Sequence, residues 1–342
     1  MNKLSKFIKR VLFDKLAIVC HCLDLDHRET IVRNLFSIVE AIVGHEEVVQ
    51  PQVMKSLGGY RYSVKLPLLE PIDWVRPVNG EPHLFIQVGP YAPNRPFIRF
   101  EFKGFPLKRE HYYIARLWLE KIIPASAHFL LTSEEMKVTT LDIALDLMVD
   151  INSICVNYAR SQTSGVFFAK DGRIGMIILG NKKSGCRITA YDRTANCKAK
   201  NLPTSDEPET RIESQFKPNC KLSQLEKFLR QHSYLERIQL YDFSELKKIP
   251  TLHPHTLMAI TGYGLKPTLQ STPKHERRKM QSQLKKCVLL SLDDEAVKDV
   301  VMKELKKLRG LMSEHSGSKS NQAQKIRKMF RKQYGAITSK CE

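Results

Sequence analysis

The sequence has no apolar run approaching the roughly 18 residues that a membrane-spanning helix needs, which speaks against a membrane partner by insertion. It has no C-x-x-C pair and no disulfide-like spacing among its 8 cysteines, so it reads as a chain of a reducing, cytoplasmic compartment. "GNKKSGCR" lacks the Walker pattern, which excludes a built-in nucleotide-driven motor. Acidic residues are also scarce. Thirty-six Asp and Glu stand against 55 Lys and Arg, leaving a net charge of +19. A field of that sign favours nucleic acid or another anionic surface and says little about fold.

The opening segment "MNKLSKFIKRVLFDKLAIVCHCLDLDH" is basic and then apolar, but Asp14, Lys15 and His21 break the apolar run and no small-residue cleavage site follows. It is read as a helix leading into a strand, not as a signal peptide. Cys20-His21-Cys22 with His27 carries zinc-ligand letters. Strand alternation turns His21 away from both cysteines and no second half-site is evident, so buried thiols on a strand are the better reading.

Hydropathy periods divide the rest. "LAIVCHCLD" reads as a strand and "ETIVRNLFSIVEAIVGH" as a helix ending near Gly44. "YRYSVKLPL", "PHLFIQVG" and "PFIRFEFKGF" read as strands with a turn signal at Asn79-Gly80, and "REHYYIARLWLEKII" as a helix. The style then repeats: strand "KVTTLDIALDLMV", helix "NSICVNYARSQ", strands "GRIGMIILGN", "CRITAYDR" and "TRIESQF", helix "KLSQLEKFLRQH". Two such blocks predict an α+β fold with a mainly antiparallel central sheet flanked by helices, and raise internal duplication as a reading. The expected division is a catalytic domain over residues 1–265 and a basic, largely helical extension over 266–342, with a flexible break near "SGSKSN". From Lys274 onward there are 18 Lys and Arg against 8 Asp and Glu, a surplus of ten, and this segment is an expected contact for duplex DNA.

Three strand-like segments put polar groups where a packed sheet would take apolar ones. Asp142, Ala144 and Asp146 share one face of "TLDIALDL". Arg187, Thr189, Tyr191 and Arg193 share a face of "RITAYDR", and Arg211, Glu213 and Gln215 a face of "TRIESQF". Neighbouring strands lie about 4.8 Å apart, so such groups can converge across strands. Carboxylates that hold a hard cation, guanidinium groups and a phenol suit phosphoryl transfer through a covalent phosphotyrosine. Asp142 and Asp146 are about 13 Å apart on an extended strand, too far to share one ion without a bulge. One is expected to be a ligand while the other supports it or binds a basic side chain. Half-exposed strands with a merely packed tyrosine would give the same alternation, and periodicity leaves both readings open.

The ordered set "TTLDIALD", "MIILGNKKSGCRITAYDR" and "TRIESQF" resembles the plasmid and phage rolling-circle replication initiators of the Rep_trans type, and the likeness extends over about residues 15–235. The resemblance implies a sequence-specific, metal-dependent nicking and joining enzyme that acts at a replication origin through a 5′-phosphotyrosine. It implies Tyr191 as nucleophile, Mg²⁺ or Mn²⁺ held by carboxylates drawn from Asp142, Asp146 and Glu213, and DNA contacts by Lys182, Lys183, Arg187, Arg193 and Arg211. It also implies origin DNA with an exposed single strand, a host helicase and polymerase as partners, a homodimer, and a bacterial cytoplasm. Two positions depart from the family pattern. Thr139-Thr140-Leu141-Asp142 lacks the family's arginine, and Thr194 and Ala195 stand where a second tyrosine would serve phage-style termination. His253-Pro-His255 carries the letters of another nicking-enzyme metal motif, but Pro254 opposes a strand there. The competing account is a non-catalytic DNA-binding or packaging protein that uses the basic surface and keeps Tyr191 as a packing residue.

Overall fold

A computed structural model describes residues 7–44, 58–68, 82–103, 106–158, 161, 163–181, 186–231, 238–250, 252–291 and 295–308, with 311, 324 and 328 beyond. The fold is α+β, with extensive antiparallel sheet flanked by helices. The chain forms two compact units: unit one holds residues 1–12, 142–217 and 229–301, and unit two holds 13–141, 218–228 and 302–342. Strand β1 (Ile8–Cys20) and strand β5 (Lys137–Leu147) each run from one unit into the other.

In unit two the strand order is β2 (Tyr60–Pro67), β3 (His83–Pro90), β4 (Ile98–Lys103), β1 and β5. Helices α1 (Leu25–Gly44) and α2 (Arg109–Ile122) pack on each other. Alternation supplies the core, because Ile98, Phe100 and Phe102 on β4 and Leu84, Ile86 and Val88 on β3 are fully buried. Trp118 is 1% exposed and donates Nε1 to Pro67 O at 3.0 Å, which satisfies its one polar group inside the core. Glu101 is buried among Lys15, Lys103 and Arg99. Burial opposes its charge, but the Lys103 hydrogen bond and the surrounding cations hold its pKa below the usual carboxylate value.

In unit one β5 continues beside β10 (Thr210–Phe216), β9 (Cys186–Asp192), β8 (Ile174–Leu179) and β7 (Ser164–Phe168). A second, three-stranded sheet has the order β13 (Val288–Ser291), β12 (Ile238–Asp242), β6 (Ile154–Tyr158). Its core draws Cys155 and Tyr241 together with Ile260, Leu265, Met280 and Leu284, from helices α6 (Pro254–Tyr263), α7 (Leu265–Ser271) and α8 (Lys274–Leu284). Residues 274–291 of the basic C-terminal stretch are therefore built into unit one. The expected break at residues 316–321 and the turn at Asn79-Gly80 lie outside the described residues.

Two elements differ from the sequence expectation. Residues from Ile8 onward form strand rather than helix, and "ICVNY" is strand β6 where a helix was expected. The reason is the same in both places. β-Branched and apolar residues follow one another without a helical gap, and burial on both faces selects a strand over a short helix. His253 and His255 sit at the start of α6, where His253 is the N-cap, Pro254 occupies the first turn and both imidazoles are exposed. Seven described cysteines are free thiols, and burial pushes Cys20, Cys155 and Cys186 up to about 12. No described helix is long and apolar enough to cross a membrane.

Trp118→Ala should cost unit two about 3–5 kcal/mol, as expected for a fully buried indole. Denaturant unfolding would show it, and a loss below about 1 kcal/mol would contradict this account of the core.

Candidate active site in unit one

Strands β9 and β10 pair antiparallel, with Tyr191 opposite Arg211, Thr189 opposite Glu213 and Arg187 opposite Gln215. The alternation read from the sequence is realised from Arg187 to Tyr191 and from Ile212 to Phe216, while Arg193, expected on the same strand face, is instead the first residue of a helix. Ile188, Ala190, Ile212 and Phe216 point into the core at 0–2% exposure. Their neighbours Arg187, Thr189, Tyr191, Glu213 and Gln215 are partly exposed on the other face. From the end of β9 Tyr191 reaches diagonally across the pair, and its hydroxyl donates to Glu213 Oε1 at 2.7 Å.

Arg211, the register partner of Tyr191, belongs to a buried ionic cluster. Asp146 is fully buried on β5, and Arg211 clasps it with two donors, Nε to Oδ1 at 2.6 Å and Nη2 to Oδ2 at 3.0 Å. Arg193 adds Nη1 to Oδ2 at 3.2 Å, and Arg10 of β1 donates Nε to the same oxygen. Arg193 Nε also reaches Glu209 Oε2 at 3.1 Å, and Glu209 pairs with Lys9. Burial opposes the charged form of Asp146, but the Arg211 hydrogen bond and charge, the Arg10 hydrogen bond and the Arg193 charge outweigh it and keep its pKa below the usual value. Four cations meet two carboxylates here, so the cluster carries surplus positive charge beside the phenol.

Asp142 lies on β5 four residues before Asp146 and accepts from Gln215 Nε2 at 3.2 Å through Oδ2. The contacts Arg211–Asp146 and Gln215–Asp142 both join the neighbouring strands β10 and β5. Of the three carboxylates expected to hold a divalent cation, Asp146 is occupied by guanidinium groups. Among the described residues no group of three or more His, Cys, Asp or Glu is placed to hold a metal ion. Glu213 and Asp142 remain. They accept from Tyr191 and Gln215 respectively, and Mg²⁺ is ordinarily held by one or two carboxylates together with substrate phosphate oxygens.

The remaining expected residues divide. Arg187 sits on the Tyr191 face, with its Nε buried and lacking an acceptor among the described residues. Lys182 and Lys183 lie outside the described residues. Sequence reading missed Lys9, Arg10 and Glu209, which complete the ionic cluster. Arg10 joins Asp146 from 136 positions away, and nothing local to "FIKRVL" signals that. Glu209 stands directly before β10 in "PETRIES", and its place next to a polar strand is the local signal that could have found it.

Tyr191 and Glu213 open into a cavity of about 590 Å³ that Met176, Thr189, Asn196, Arg173 and Lys200 also line. Its floor at Ile174–Met176 is β8, and its wall at Ala195–Asn196 belongs to helix α3 (Arg193–Ala199), which Asp192 caps by accepting from Ala195 N at 2.8 Å. A phenol hydrogen-bonded to a carboxylate, open to such a cavity and backed by surplus cationic charge, can present an oxygen nucleophile to a phosphodiester.

No protein-family model matches the chain, and no curated protein is significantly similar to it.

Asp146→Asn should destabilise unit one by about 3–5 kcal/mol, because it strands three guanidinium groups around a neutral amide. The sign follows from the depressed pKa. The stabilisation by Asp146 is present above the unfolded carboxyl value near 3.9 and is lost as pH falls through the lower folded value. Denaturant unfolding of both proteins should therefore show a large difference at pH 7 that closes at strongly acidic pH; a pH-independent difference would contradict it. Over 85% of this chain and 96% of the other, the structure is similar at 14% identity and a TM-score of 0.37 to a rolling circle replication initiator protein from Geobacillus stearothermophilus, a likeness too distant to bear on fold or chemistry.

Proposed function

We propose that the protein is a sequence-specific DNA nicking and joining enzyme that starts rolling-circle replication at an origin, with Tyr191 as nucleophile. The observation that carries this is the 2.7 Å hydrogen bond from the Tyr191 hydroxyl to Glu213, at the mouth of an open cavity and directly across from Arg211. A tyrosine kept only for packing has no need of a carboxylate acceptor for its hydroxyl at an open cavity. The ordered strand motifs around Asp142, Tyr191 and Glu213, and the net charge of +19, support the same reading.

In the proposed reaction Glu213 orients the phenol and takes its proton as the Tyr191 oxygen attacks phosphorus. The Tyr191 O–P bond forms and the P–O3′ bond breaks, so the 5′ phosphate stays on the protein and the departing 3′ oxygen takes up a proton as a free hydroxyl. Arg211, held in place by Asp146, and Arg187 neutralise charge on the phosphate. A divalent cation such as Mg²⁺ or Mn²⁺, held by Glu213 and Asp142, would supply further charge neutralisation at the scissile phosphate. Reversal by a 3′ hydroxyl rejoins the strand, and because bond energy is kept in the phosphotyrosine no nucleotide cofactor enters. Origin DNA with an exposed single strand, the host helicase and polymerase, and a second copy of the chain are the partners that this reading entails.

The test uses supercoiled DNA of the replicon that encodes the protein, with Mg²⁺ or Mn²⁺. Wild type should give nicked circles, Tyr191→Phe none, and Glu213→Gln a rate lower by about 10²–10⁴-fold, the usual contribution of a general base. Unimpaired nicking by Tyr191→Phe would remove the proposed nucleophile. Tight DNA binding without nicking under either cation would favour the non-catalytic binding protein.

A further inference from the structure

We infer that unit two carries its own site for an unpaired nucleotide of a single strand, at a pocket of arginines and aromatic rings between α1, β2 and the loop after β3. The inference rests on the proposal that the protein works on DNA, but uses none of the residues of the nicking site.

The pocket has a volume of about 480 Å³ and is lined by Arg28 and Arg33 of α1, Arg61 and Tyr62 of β2, and Arg95 and Phe97 of the loop. Four arginines meet one acid, Glu29, among the lining residues. The helical positions follow from spacing, since residues 28, 29, 32 and 33 fall on one side of a helix. Hydrogen bonds of these arginines among the described residues go to neutral acceptors: Arg28 Nε to Cys22 O at 2.7 Å, Arg33 Nη2 to Thr30 Oγ1 at 3.3 Å, and Arg95 Nη1 to Gly58 O at 2.7 Å. Among the described residues no carboxylate forms a salt bridge with these guanidinium groups, and an anion is the ligand that such a cluster selects.

The rings narrow the choice to a nucleotide. Arg28 lies over the Phe97 ring at 5.2 Å and Arg61 over the Tyr91 ring at 5.8 Å, while Tyr91 itself is 59% exposed. Tyr62 is held edge-on by Phe36, with ring centroids 5.2 Å apart. Gly89 leaves the backbone close to Tyr62, where an added Cβ would meet the ring at 3.5 Å, and its φ of +67° is one that glycine adopts without strain. Flat rings flanked by guanidinium planes are the platform on which unpaired bases stack while cations track the phosphates. A cavity of this size takes a small ligand, so it can receive an unstacked base, whereas a duplex keeps its bases paired inside.

Arg33 and Arg61 are exposed at the rim, so their charge can be reversed without disturbing the core. Binding of a fluorescein-labelled dT20 strand would be followed by anisotropy across a salt series, without divalent cation so that no nicking intervenes. The double variant R33E/R61E should bind at least tenfold more weakly, with a salt slope shallower by about 1.4, near 0.7 for each lost phosphate contact. A 5-iodouracil strand should photo-cross-link to Tyr62 or Tyr91. Unchanged affinity and slope in R33E/R61E, or loss of duplex binding with single-strand binding intact, would overturn the assignment. Because Tyr191→Phe leaves this pocket untouched, failure of the nicking reaction and failure of this site are separate results.

Discussion

The geometry proposed for chemistry depends on one buried carboxylate. Asp146 has no exposure to solvent and is ringed by Arg10, Arg193 and Arg211. A lone carboxylate at that depth would be strongly destabilised, and three unpaired guanidinium groups would be too. Together they fix one another, and the arrangement ties β1, β5, β10 and the start of α3 to a single point. Arg211 is thereby set opposite Tyr191, and two residues further along β10 comes Glu213, the acceptor of the phenol.

A carboxylate buried among cations occurs more than once in this chain. Unit two repeats it with Glu101, buried among Lys15, Lys103 and Arg99. Each unit keeps a carboxylate inside a cationic cluster, so local positive charge is held in place without a run of unpaired guanidinium groups in the core. The cations that remain at the surface supply the long-range field for an anionic polymer.

Strand alternation made much of this legible. The alternation of "RITAYDR" and "TRIESQF" appears in the structure on β9 and β10, whereas "LDIALDL" on β5 is buried on both faces and keeps its carboxylates inside. Spacing also implied that Asp142 and Asp146 have different roles, without deciding which of them takes the basic partner. That choice depends on Arg10 and Arg193, which reach the carboxylate from distant parts of the chain. The helix expected at "NSICVNYARSQ" failed for a related reason. Ile154, Cys155 and Val156 are apolar in succession, and pairing with β12 decides between a helix and a doubly buried strand. The arginine pocket of unit two was equally hidden, since its residues come from 28 to 97 with no motif joining them.

The most direct measurement is the mass of the covalent product. A single-stranded origin oligonucleotide with only a few bases 5′ to the nick would release its short 3′-hydroxyl fragment and trap the protein on the remaining strand. Trypsin and nuclease digestion should then leave the nucleotide remnant on the peptide Ile188–Arg193, which contains Tyr191 as its one tyrosine. An adduct on any other peptide, or bound strand without an adduct in either Mg²⁺ or Mn²⁺, would contradict the account.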